Sequence, residues 1–220
     1  AQTDTGLSTE GNTMRGSDAN MDSAINGNGD DAGMVSTDAS EPSQDQCVTT
    51  SSDIAGPYWR EGIPIRSNFD QYNDNGTRLT LSGTVRDAQC TPLSNVVLEM
   101  WHASPTTVRA ADLSNSDTVD YDVSSSRYKY YGQLSTNTEG GYSLVTKKPG
   151  WYLNGSSFRP SHIHVKVYVD NIEKLTTQLY FQNDPFIAHD PWASQAPSRT
   201  IELQSDVDGN LSGRFDFMMA

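Results

Sequence analysis

Residues 161–169 read Ser161-His162-Ile163-His164-Val165-Lys166-Val167-Tyr168-Val169. Ile163, Val165, Val167 and Val169 recur at every second position, the side-chain period of a strand with one buried face and not the longer period of a helix. Their β-branched side chains favour the same conformation. With this apolar set turned into a core, His162 and His164 project together from the opposite face. The segment therefore predicts a strand that holds two imidazoles side by side.

The same alternation spreads outward. Leu79, Leu81 and Gly83 alternate, as do Val96, Leu98, Met100 and His102 against Val97, Glu99 and Trp101. Further strand-like runs cover 128–135, 142–147, 175–181, 200–203 and 211–219. Thr138-Glu139-Gly140-Gly141 and Asp206-Val207-Asp208-Gly209-Asn210 supply turn residues that tolerate positive φ. The second has the look of a calcium loop but lacks the distal Glu and flanking helices of an EF-hand, so it is read as a hairpin turn. Helical periodicity is absent apart from a short turn expected around 184–194. Seven or eight short strands with turn-rich spacing predict an all-β chain folded as a single antiparallel β-sandwich.

Charge sets the limits of that domain. The 220 residues carry 15 Lys and Arg against 28 Asp and Glu, a net charge of −13, with an isoelectric point near 4.5. Nucleic-acid binding through phosphate neutralisation is excluded for want of a basic cluster. No apolar stretch approaches the roughly 20 residues of a membrane span. Residues 1–46 hold nine carboxylates against Arg15 alone, and no aromatic residue precedes Tyr58. Such a segment cannot bury enough apolar surface to offset its ordering entropy. Residues 1–46 are thus expected to be a disordered acidic tail and 47–220 the domain.

Cys47 and Cys90 are expected to pair, since a disulfide closing a loop of about 40 residues stabilises a fold by about 3–4 kcal/mol. No signal peptide opens the chain, which begins with Ala as a processed protein would. Sequons at Asn75, Asn154 and Asn210 permit glycosylation. Together these features favour a secreted protein.

A His-x-His pair at a strand end gives a metal two nitrogen ligands from one rigid element, although such a pair equally often binds nothing. Only His102 and His189 complete the histidine count, and both are distant in sequence. Tyr152, however, precedes a Gly-Ser loop that returns to Arg159 and the histidines, so its phenol can reach the same point. A phenol with a pKa near 10 ionises at neutral pH only beside a strong positive charge. Hard anionic oxygen combined with imidazole favours Fe(III), with zinc as the alternative metal.

On these residues the sequence resembles the intradiol ring-cleavage dioxygenases, the family of the catechol and protocatechuate dioxygenases. The resemblance covers about residues 47–220. It is carried by Gly56-Pro57-Tyr58-Trp59, Leu81-Ser82-Gly83-Thr84-Val85, Trp101-His102-Ala103, Pro149-Gly150-Trp151-Tyr152, Arg159-Pro160-Ser161-His162-Ile163-His164 and Thr177-Gln178-Leu179-Tyr180-Phe181. It implies a non-haem Fe(III) held by two Tyr and two His, here Tyr152, His162, His164 and a second tyrosine. Tyr121 fits that place best by its spacing to Thr136 and Gly140-Gly141, with Tyr128, Tyr130 and Tyr131 as competitors. Ferric iron with two phenolates and one hydroxide is neutral, which a low-dielectric pocket tolerates better than a net ion.

The resemblance further implies a small aromatic diol and O2 as substrates and a ring-opened muconate-type diacid as product. Arg159 would stabilise carbanion character on the ring, with Gln178 orienting it. Gly56, Pro57 and Tyr58 match a loop that closes over substrate. His102 is expected to be a satisfied buried histidine and His189 a loop residue, while Trp151, Trp192 and Phe158 either wall the site or simply pack. The helical segment that dimerises the catechol enzymes is missing from the N-terminal side, so a monomer or weak homo-oligomer is expected. Two other readings compete: a non-catalytic β-sandwich binding module, which leaves the histidine pair unexplained, and a zinc hydrolase, which lacks an evident third ligand and general base.

Overall fold

The computed structural model describes residues 47–123 and 128–220, and the expected acidic tail lies outside the described residues. Its twelve strands are β1 (Arg78–Arg86), β2 (Val97–Trp101), β3 (Tyr131–Ser135), β4 (Gly141–Lys147), β5 (Leu153–Asn154), β6 (Ser157–Phe158), β7 (His162–Val169), β8 (Ile172–Phe181), β9 (Thr200–Ile201), β10 (Gln204–Ser205), β11 (Leu211–Arg214) and β12 (Phe217–Met218). They form two five-stranded sheets and the small β5–β6 hairpin. The predicted alternation is visible in β1, where Leu79, Leu81, Gly83 and Val85 are buried and their neighbours are not. Among the described residues no helix is long and apolar enough to cross a membrane.

In the first sheet β1 pairs antiparallel with β4. Along its other edge it pairs parallel with β11 as far as Ser82, then parallel with β12 from Val85. These pairings make the sheet mixed, because the chain returns to β1 from the β10–β11 hairpin in the same direction as β1 itself. The partner change occurs at Gly83, where an added Cβ would lie 1.7 Å from the Phe215 carbonyl oxygen. The Thr84 amide, freed from the ladder there, donates to Asp216 Oδ1 at 2.8 Å. The second sheet runs β3-β2-β7-β8-β9, antiparallel except for the short β8–β9 pairing.

The two sheets meet through one apolar layer that includes Leu79, Leu81, Leu98, Met100, Leu144, Ile163, Val165, Val167, Leu179 and Phe181. Each such side chain contributes about 1.5–3 kcal/mol when fully buried. The alternating residues of β2, β3, β7 and β8 face the other way. Register aligns Tyr131, Trp101, His164 and Gln178 in a row across four strands, with His162 opposite Tyr180 beside it. That outer face is roofed by Ile63, Ala103, Tyr121 and Tyr152 from the connecting segments.

The hairpin reading of 206–210 holds: Asp206 Oδ1 accepts from the amides of Asp208 and Asn210 at 2.9 and 2.8 Å, and Gly209 takes φ +80°. The turn expected near 184–194 becomes three 3-10 turns, Ile187–His189, Ala193–Gln195 and Pro197–Arg199, packed at the end of β8. Cys47 and Cys90 form a disulfide with Cα atoms 5.7 Å apart, inside the normal range. From there the segment is tied down by Thr50 N–H to the Met218 carbonyl and Asp53 N–H to the Thr176 carbonyl. Replacing Gly83 by Ala forces the Phe215 backbone away from β1; a loss of at least about 1–3 kcal/mol is expected, a drop of several degrees in Tm by thermal unfolding, with an unchanged Tm refuting the close approach.

Candidate functional site

Strand β7 delivers His162 and His164 to the roofed face, where both are essentially inaccessible to solvent. Their Nε2 atoms are 3.1 Å apart. Tyr121, from the loop between β2 and β3, brings its Oη to 3.1 Å from His162 Nε2 and 3.0 Å from His164 Nε2. Three donor atoms thus form a nearly equilateral triangle. The other tyrosines of the loop are occupied elsewhere: Tyr130 donates to Asp74 Oδ2 and Tyr131 to the Tyr58 carbonyl, while Tyr128 packs on Tyr131.

Proton bookkeeping in the triangle does not close. His162 Nδ1 faces the Pro160 carbonyl at 2.6 Å and must donate to it, so Nε2 presents a lone pair. His164 Nδ1 is buried without a hydrogen bond of good geometry, although the Ile54 carbonyl beside it favours a proton there. Tyr121 has one proton for two acceptors. Burial, then the repulsion of neighbouring positive groups, holds both imidazoles neutral: His162 is pushed down to about 3 and His164 well below the ordinary histidine range. Burial likewise pushes the Tyr121 phenol well above 10, Tyr152 adding to it and Arg159 opposing. Ionising that phenol requires a strong cation at the same point.

The donor set fits a metal ion. Ligands about 2.1 Å from a metal and at right angles to one another lie about 3 Å apart, the edge length found here. No three His, Cys, Asp or Glu side chains gather into a metal cluster among the described residues, so a third donor has to be the phenol. Tyr152 stands next to the triangle, its ring 5.4 Å from that of Tyr121 and 5.8 Å from that of His162. Its hydroxyl interacts with the Arg159 guanidinium.

Arg159 is only 3% exposed. It donates through Nε and an Nη to the two oxygens of Asp190, at 2.7 and 3.1 Å, and through the other Nη to Gln178 Oε1 at 3.1 Å. The plane lies over the Trp192 ring, 4.6 Å from its centre. Burial works against the cation, but Asp190 and the Tyr152 hydroxyl more than offset it and keep the guanidinium charged. Gln178 is itself fixed by donating to the Ile54 carbonyl at 2.8 Å. A second pair, Arg199 and Asp53, lies behind, linked to the first by Tyr180, whose hydroxyl donates to Asp53 Oδ2 at 2.9 Å.

Gly56, Pro57 and Tyr58 cross the site. Gly56 has φ +68° and comes close enough that a Cβ would meet His164 Cε1 at 3.3 Å. Tyr58 stacks on Tyr121 with centroids 4.2 Å apart and meets Tyr152 edge-on. Trp101 stacks flat on His164 at 4.9 Å, while His102 points into the sandwich and is satisfied by the Ala103 carbonyl and the Thr146 hydroxyl. His189 is an exposed loop residue. Trp192 walls the site beneath Arg159, whereas Trp151 and Phe158 both pack against Phe186.

Sequence reasoning missed Asp190, Asp53, Arg199 and Tyr180. The period of β8 could have found Tyr180, two residues from Gln178 and therefore on the same face. Asp190, Asp53 and Arg199 lie in irregular segments with no local signal. Both aspartates are committed to arginines, so neither offers a free base to a zinc-bound water.

A family model described as Dioxygenase matches residues 54–219. Chlorocatechol 1,2-dioxygenase of Pseudomonas putida is 30% identical over 187 residues, covering 78% of this chain and 68% of that protein. The crystal structure of a chlorocatechol 1,2-dioxygenase from Pseudomonas putida superposes with TM-score 0.65 at 26% identity, over 78% of this chain and 72% of that one. The dioxygenase domain of a dioxygenase carbohydrate-binding protein fusion from the cellulolytic bacterium Streptomyces sp. SirexAA-E gives TM-score 0.65 at 29% identity, over 78% and 97% of the two chains.

The buried imidazoles make stability depend on pH. His102 is pushed down to about 4 by burial, the Ala103 carbonyl only partly opposing, and His162 and His164 are lowered as well. The unfolded chain takes up these protons near pH 6.5 and the folded chain does not. Stability is therefore complete above about pH 6.5 and falls by about 1.4 kcal/mol per pH unit per histidine as pH drops towards the folded values. For metal-free protein the urea midpoint should fall steadily from pH 6.5 to about 4.5; a flat midpoint would mean that the imidazoles are protonated in the folded state.

Proposed function

The chain belongs to the intradiol ring-cleavage dioxygenase family, and from that premise we propose that it is a non-haem Fe(III) enzyme that opens catechol-type rings with O2 to muconate-type diacids. The observation that carries the iron reading is the buried triangle of Tyr121 Oη, His162 Nε2 and His164 Nε2, with edges of 3.0–3.1 Å. Tyr121, His162 and His164 would hold the metal and Tyr152 would supply the fourth protein donor. Bound there, ferric iron would supply a Lewis acid that binds the catechol oxygens and renders the ring reactive toward dioxygen.

The chain's own groups do the rest. His162 Nδ1–H, anchored on the Pro160 carbonyl, fixes which nitrogen faces the metal. Tyr152, in the phenolate form that a bound metal would impose, would accept a proton from a catechol hydroxyl beside Arg159. Arg159 stays charged and immobile between Asp190, Gln178 and Trp192, so its field is already aimed when negative charge grows on the ring. Tyr58, stacked on Tyr121 in the Gly56-Pro57-Tyr58 loop, covers the substrate and excludes water. The disulfide supports a secreted protein, since such bonds persist in oxidising compartments. Residues 1–46 would serve as an acidic tail to a 47–220 catalytic domain acting as a monomer or weak homo-oligomer.

Metal analysis and a visible spectrum recorded with and without catechol under anaerobic conditions test the reading. About one iron per chain with a phenolate charge-transfer band that shifts on catechol addition is expected. Colourless protein that cannot be reconstituted with iron rejects it, and bound zinc would favour the hydrolase. Tyr121→Phe should lose activity and most of the colour; retention of both would move that ligand to another tyrosine. Arg159→Ala should still bind catechol but turn over about 100-fold to 1,000-fold more slowly, and wild-type turnover would remove Arg159 from the chemistry.

A further inference from the structure

Lys148 follows β4 and turns its side chain inward, its Nζ 5.3 Å from the centre of the Trp151 ring and 5.6 Å from that of Phe181. The nearest acid that acts on it is Asp184, which does so from a distance without a hydrogen bond. That carboxylate already accepts three hydrogen bonds from other groups. Its Oδ2 accepts from Trp151 Nε1 at 2.7 Å and from the Ser161 amide at 3.0 Å, and its Oδ1 accepts from the Phe186 amide at 3.1 Å. The ammonium group of Lys148 therefore keeps donors to spare, and its burial works against the charge it carries.

Lys148 opens into a cleft of about 500 Å³ that it lines together with Asn75, Thr106, Thr107, Arg109 and Trp151. The volume is that of a small-molecule site. Two cations and no acid line it, in a chain whose net charge is −13. Arg109 is exposed and pairs with Asp112 at the rim, through Nε at 2.6 Å. The hydroxyls of Thr106 and Thr107 and the amide of Asn75 add neutral donors, and the Trp151 indole adds a flat apolar wall. Cation, neutral donors and an aromatic surface are together what a carboxylate on a small planar skeleton requires.

We infer that this cleft is a binding site for small organic carboxylates, with Lys148 as the anchoring cation and Arg109 at its rim. It is lined by Trp151, next in sequence to Tyr152, and uses none of the residues of the metal-binding triangle. The inference stands independently of ring cleavage. A bound carboxylate takes up the Lys148 donors that the protein leaves unpaired, and its skeleton lies along Trp151.

Calorimetric titration of the whole chain with benzoate, with cis,cis-muconate and with inorganic phosphate, at matched ionic strength, tests the site. Saturable binding of a carboxylate, weakened at least about tenfold by Lys148→Met and several-fold by Arg109→Ala, is expected. Methionine keeps the stem between the two rings, and Arg109 is exposed, so either variant can be checked for native circular dichroism. Benzoate against muconate tells an aromatic acid from an open-chain diacid. Tighter binding of phosphate than of either carboxylate overturns the ligand class. No saturation below about 10 mM, binding unchanged in Lys148→Met, or binding lost in Arg159→Ala but kept in Lys148→Met overturns the site, the last result locating the ligand in the catalytic pocket.

Discussion

The outer face of the second sheet is polar and dry at once, and the rest of the architecture follows from that conflict. Leaving a buried polar group without a partner costs several kcal/mol, so every such group must be matched or must await a ligand that matches it. Most are matched within the chain. His162 is matched through Nδ1, Gln178 through both ends of its amide, and Tyr180 through Asp53. Trp101 Nε1 and His164 Nδ1 are left without a partner, and in the triangle of Tyr121, His162 and His164 a cation is the partner the lone pairs lack.

Keeping that face dry requires a roof, and the roof is made of irregular segments held by specific ties. The disulfide and the backbone bonds at Thr50 and Asp53 lay the N-terminal segment along β12 and β8. This brings the Ile54 carbonyl to Gln178 and His164, and then Gly56 and Tyr58 over the imidazoles and Tyr121. The Arg199–Asp53 pair closes the same segment from behind. Removing one member of such a buried pair strands the other charge at a cost of about 3–5 kcal/mol, so the roof and the electrostatics of the site are one construction. Arg159 shows the same economy, since Asp190 neutralises it while Gln178 and Trp192 restrict its plane.

Much of the site was legible because β7 and β8 are regular. Period two put His162 and His164 on one face, turned Ile163, Val165 and Val167 to the core, and set Trp101 and His102 on opposite sides of β2; all of this is geometry that a strand imposes locally. The family resemblance added Arg159, Gln178, Tyr121 and the Gly56-Pro57-Tyr58 loop, and the structure gathers them around the imidazoles. Strand ends were less legible. The run 211–219 divides into β11 and β12, because the Phe215 backbone must pass over Gly83, a contact between residues far apart in sequence.

Composition and periodicity by themselves determined an acidic chain, a β-sandwich and a strand with two imidazoles on one face, since these depend on neighbours within a few residues. Tertiary structure alone decided the parallel pairings of β1 with β11 and β12, and it alone shows the contact by which Tyr121, favoured by the resemblance over Tyr128, Tyr130 and Tyr131, meets both imidazoles. It also decided that Asp190 and Asp53 serve arginines and that Lys148 lines an open cleft. These are long-range pairings of irregular segments, and their energies come from burial and charge compensation between distant residues, for which a sequence carries no local period.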